Sequence, residues 1–70
     1  MEYVVIIDRG IGRIWVTASN AAYNRGDEFH GGYCHGIVHS TNWNKAEAFK
    51  SARALKRVIG LEIFGTVSEN

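Results

Sequence analysis

Four side chains with metal affinity or nucleophilic reach fall within ten residues of one another: His30, Cys34, His35 and His39. Imidazole nitrogens and a thiolate are ligands that tetrahedral zinc takes, and a bound ion would stiffen a chain too short for a large core. His35 and His39 stand four apart. Their spacing matches none of the standard finger or ribbon patterns, however, and on a strand Cys34 and His35 would point to opposite faces. The same residues admit an enzymatic reading, in which Cys34 pairs with a histidine and Asp27 or Glu28 orients the base. Seventy residues leave no room for the deep, water-excluding pocket such a thiolate needs. The expectation is therefore a chain that is not an enzyme and holds no cofactor. Zinc at His30, Cys34, His35 and His39 is the alternative.

A second set of residues is defined by charge. The net charge is only +1, but Lys45, Lys50, Arg53, Lys56 and Arg57 gather five of the eight basic residues into one segment, against Glu47 alone. At 100° per residue these cations span one arc, and Phe49 lies within it. A basic face with an exposed aromatic can follow a phosphate backbone or meet an acidic protein surface. Lys50, Arg53, Arg57 and Phe49 are the expected contacts. Tyr23, Arg25 and Phe29 supply a second group, because aromatic residues dominate interface hot spots. Gly10 and Gly12 make only a G-x-G, which without a third glycine and a following helix does not read as a dinucleotide site.

The element carrying the cations is the most legible in the chain. Asn44 reads as an N-cap, with Glu47 three residues on where a carboxylate can reach back to the cap amide. Trp43, one residue before the cap, reads as a hydrophobic staple over the first turn. Ala48, Ala52, Leu55 and Ile59 recur at helical spacing, with Val58 at the edge of their stripe. Lys56 and Arg57 meet the negative end of the helix dipole, and Gly60 supplies a left-handed residue after it. The pattern predicts a helix over 44–60.

Before that helix, Tyr3 to Ile7 is apolar on both faces and reads as a buried central strand. Asp8 to Gly12 is turn chemistry, and Arg13 to Thr17 reads as the return strand of a hairpin. The segment 18–32 has no sustained period and reads as a long loop. Residues 33–40 read as a short third strand weakened by Gly36, and Leu61 to Val67 as the closing strand. The expected fold is a single α+β domain over 1–70: a small, mainly antiparallel sheet of three to four strands with one amphipathic helix across one face.

Length and composition narrow the rest. An apolar fraction of 46% argues against intrinsic disorder. One cysteine excludes an internal disulfide and fits a reducing compartment, and there is no run of about 18 apolar residues, so a cytoplasmic location without membrane contact is expected. One helix covers only one side of a sheet, while the first strand is apolar on both. Either the 18–32 segment folds over the second face or another chain does, and the expectation is a homodimer or a partner complex.

From Ser40 to Gly65 the chain resembles a module of small phage-encoded proteins, the anti-CRISPR proteins and phage inhibitors of host RNA polymerase. An Ala-rich helix with Ala46, Ala48, Ala52 and Leu55 is followed by Gly60 and the strand Leu61-Glu62-Ile63-Phe64. The resemblance implies a stand-alone inhibitor, active in the host cytoplasm, that occupies a surface of a host protein or nucleoprotein complex. It carries over no functional residue. Direct binding of nucleic acid by the same basic face is the alternative.

Overall fold

A computed structural model describes residues 1–69. Five strands and one helix follow in the order β1 (Glu2–Asp8), β2 (Arg13–Ser19), β3 (Glu28–His30), β4 (His35–Asn42), α1 (Lys45–Ile59) and β5 (Glu62–Gly65). They form one sheet in the order β3-β4-β1-β2-β5, with α1 packed across one face. The α+β class expected from the sequence is what the chain adopts. The strand number is five rather than three to four.

β1 is central because its side chains demand it. Val4, Val5 and Ile6 are all fully buried, which requires cover on both faces and strands on both edges. Asp8 turns the chain into β2: its Oδ1 accepts from the Ile11 amide at 3.1 Å, its carbonyl accepts from the Gly12 amide at 2.9 Å, and Gly12 takes φ 82°. The hairpin register sets Val5 opposite Val16 and Ile6 opposite Trp15. Val5, Ile14 and Val16 then face Ala48, Ala52 and Leu55 of the helix.

The helix carries the chain from one side of the sheet to the other. β4 and β2 both run antiparallel to β1, and β5 adds to β2 in parallel. The sheet is therefore mixed, with β1 and β2 lying between the two strands that α1 connects. Its ends are those expected. Asn44 Oδ1 accepts from the Glu47 amide at 2.8 Å, and Gly60, at φ 74°, donates its amide to the Lys56 carbonyl.

The segment expected to be a loop is built into the fold. β2 runs on to Ser19, and β3 adds to β4 as an edge strand. Phe29 and Cys34, with half-buried Tyr23, close over Val4, Ile6, Trp15 and Val38. The Tyr23 and Phe29 rings lie 5.0 Å apart, and the Tyr23 amide donates to the Glu2 carboxylate at 3.3 Å. The second face is thus sealed by the chain's own 20–34 segment, which removes the packing argument for a homodimer. The strand expected at 33–40 is β4, at His35–Asn42. Among the described residues, no helix is long and apolar enough to cross a membrane.

Candidate functional site: a basic groove between β4 and the helix

β4 does not run in unbroken register with β1. Val5 pairs with Ser40 and Ile6 with Val38, so His39 is the extra residue of a bulge. Val38 faces the second core, so alternation puts His39 on the helix side, and the bulge brings Ser40, opposite Val5, to the same side; both line a groove of about 560 Å³ between β4 and α1. Ile7, Leu55 and Ile59 line its apolar part. Its polar side chains are Arg9 from the hairpin turn, Arg25 from the turn before β3, His39, Ser40, and Ser51 from the helix. The Arg25 turn is fixed by Asp27, whose Oδ2 accepts from the Asn24 amide at 2.8 Å, and by a bond from the Gly26 amide to the Val38 carbonyl at 2.8 Å. Among the described residues, no carboxylate lines the groove.

Burial, and then the Arg25 guanidinium, lower the pKa of His39 below its ordinary value, so the imidazole is neutral at pH 7. Its Nδ1 lies 3.2 Å from Ser40 Oγ, and Ser51 Oγ donates to Asn42 Oδ1 at 3.1 Å. Two guanidiniums, a protonatable ring and two hydroxyls around an apolar floor suit an oxyanion, whether a phosphate or a carboxylate.

The cations of the helix lie beyond the groove. Lys50, Arg53, Lys56 and Arg57 are exposed. Arg53 is ion-paired with Glu69, and Lys56 with Glu62 at 3.2 Å, so the face is less positive than the helix sequence alone suggests. Phe49 is not part of that surface. It is buried at 5% exposure, its ring against Gly65, where a Cβ would lie 3.0 Å from its Cζ. The chain after β5 covers it, with Val67 in the same cluster. Phe29 is likewise a core residue rather than a surface contact, while Arg25 is exposed and Tyr23 half-buried. Trp43 is 93% exposed and staples nothing, because Ala48, the residue it would cover, is already sealed under the sheet.

The Cys/His set does not assemble as the sequence suggested. Cys34 is buried in the second core, and burial, followed by the Asp8 charge, raises its thiol pKa. A buried, protonated thiol is neither a ready nucleophile nor a ready ligand. His39 lies in the basic groove. His30 and His35 do meet, directly opposite each other on the β3–β4 hairpin, which is closed by the Gly31 amide donating to the Cys34 carbonyl at 2.7 Å. Glu28, two residues before His30 and on the same strand face, joins them: its Oε1 is 2.8 Å from His30 Nε2 and 3.9 Å from His35 Nε2. Glu28 and His35 also border a cleft of about 450 Å³ beside Ile7, Arg9 and Ile37.

Arg9, Ser40 and Ser51 were not legible as site residues, since only the tertiary fold gathers the hairpin turn, β4 and α1. Glu28 had a signal, its alternation with His30, but reading it requires recognising a three-residue strand. No protein-family model matches this chain, and neither does any curated protein or solved structure.

Proposed function

We propose that the chain is a small binding protein, without catalytic chemistry of its own, that docks on an anionic surface of a larger partner. The groove between β4 and α1 is the contact, and Lys50, Arg53 and Arg57 guide the approach. The observation that carries this reading is the composition of the groove: Arg9, Arg25 and His39 converge on one apolar-floored trench, with no carboxylate among the described residues that line it. Among the described residues, neither Arg9 nor Arg25 has an ion-pair partner. Two guanidiniums left uncompensated beside a half-buried imidazole raise the local potential and favour an incoming negative group. The partner class is a host protein or nucleoprotein complex, and the mode of action is occupation of its surface, as in the phage inhibitors whose helix-and-strand pattern the chain resembles. The working compartment is the host cytoplasm.

A second reading uses the same groove for the backbone of a nucleic acid. One experiment addresses both. Anisotropy of a labelled duplex oligonucleotide and of a labelled glutamate-rich peptide is followed with wild type, R9E/R25E and K50E/R53E/R57E. The groove reading expects R9E/R25E to weaken the bound probe at least about 10-fold, as loss of charge-assisted hydrogen bonds would, with a smaller loss for the helix triple variant. Equal binding by wild type and R9E/R25E would exclude the groove. Binding of the oligonucleotide alone, falling steeply with salt, would select the nucleic-acid reading.

A further inference from the structure

We propose that Glu28, His30 and His35 form a site for one divalent transition-metal ion, zinc foremost, on the exposed face of the β3–β4 hairpin. The inference is independent of the basic groove. One ligand atom from each of the three residues lies within 4.8 Å of the other two. Zinc bonds nitrogen and oxygen at about 2.0–2.1 Å, so tetrahedral ligands stand about 3.4 Å apart. The separations of 2.8 Å and 3.9 Å from Glu28 Oε1 bracket that value, and rotamer adjustments of about half an ångström would equalise them.

The backbone already performs the assembly. His30 and His35 are cross-strand partners with ring centroids 4.5 Å apart, and Glu28 shares their face by strand periodicity. All three side chains are about two-thirds exposed, which gives an ion a direct path in. Two imidazoles and one carboxylate form a borderline ligand set that suits zinc. Three protein ligands also leave a position for water or for an oxygen of an incoming group. The present contact between His30 Nε2 and Glu28 Oε1 would yield to the ion, which both atoms would then ligate.

Tag-free protein, stripped of metal, is titrated with zinc chloride by calorimetry, and its melting temperature is recorded with and without zinc. Expected are one zinc per chain, a higher melting temperature with zinc, and at least about 10-fold weaker binding in E28Q, H30Q and H35Q. C34S and H39Q should bind zinc as wild type does, which separates this site from one built on the full set of histidines and the cysteine. All three ligand substitutions are at exposed positions, and circular dichroism checks that the variants fold. Cobalt loading gives a second readout, a visible spectrum without a thiolate charge-transfer band. Absence of saturable zinc binding, wild-type affinity in H35Q, or a thiolate band that C34S removes would each overturn the proposal.

Discussion

A Cβ on Gly36 would lie 2.2 Å from the carbonyl oxygen of Ile7 and 2.9 Å from Ile6 Cγ2. β4 therefore closes on the end of β1 at a distance only glycine permits. Gly36 also stands opposite Phe29 on β3, so the contact sets the spacing of three strands at once. Replacing Gly36 with Ala forces backbone apart rather than rotating a side chain. The expected loss is about 3 kcal/mol, the upper part of the overpacking range, seen as a lower urea midpoint. An unchanged midpoint would mean that β4 does not pair with β1 in this register.

Phe49 is expected to matter for folding and not for recognition. Truncation to Ala opens a cavity between α1, Gly65 and Val67 and costs about 3–5 kcal/mol. A core of this size supplies only about that much, so Phe49→Ala is expected to lose its helical circular dichroism at 25 °C. Phe49→Leu should fold. A folded Phe49→Ala with weakened probe binding would return Phe49 to the surface.

Trp43 gives the opposite case. At 93% exposure it is expected to contribute nothing to stability, and Trp43→Ala should fall within about 0.5 kcal/mol of wild type. The two tryptophans also separate optically. Removing Trp43 should leave the blue-shifted, iodide-resistant emission of Trp15, which is buried against Phe64 at 5.8 Å between ring centroids.

His39 predicts two pH dependences of opposite sense. Its pKa in the fold lies below the ordinary value of about 6.5. As pH falls through that value, the unfolded chain takes up a proton that the folded chain refuses, so stability declines on the acid side and is flat above it. His39→Gln should remove that part of the slope. An anion in the groove would favour the protonated ring, so binding of the labelled probe should tighten between about pH 7.5 and about pH 5.5. Cys34 acts at the other end. Its pKa is raised, so stability should fall as pH climbs past the ordinary thiol value of about 8.5, an effect that Cys34→Ala removes.

Local chemistry made α1 and the first hairpin readable. Asn44, Glu47 and Gly60 announce the helix ends without reference to anything distant, and Asp8 and Gly12 do the same for the turn. β3 has no such announcement: its only apolar residue is Phe29, and its existence depends on hydrogen bonds to β4. Phe49 and Lys56 sit at neighbouring angles on the helix, yet one is buried and the other exposed, because the chain after β5 covers only the first. The site was legible by halves. His30 and His35 stood out by type, but Cys34 is carried to the opposite face by the hairpin, and His39, four residues along β4 from His35, lies in the basic groove. Arg9 and Arg25 share a groove only once three separate segments have folded.

The position of β1 has a bearing on how the chain emerges during synthesis. β1 is made before the other strands of this sheet and becomes its middle strand, and its partner on one side, β4, begins 27 residues after β1 ends. Until β4 leaves the ribosome, a strand of Val4, Val5, Ile6 and Ile7 waits with only β2 beside it and one edge bare. That interval is when the nascent chain offers its most adhesive segment to its neighbours. A halt in translation between Ser19 and His35 would thus release a fragment whose apolar strand lacks β4 along one edge.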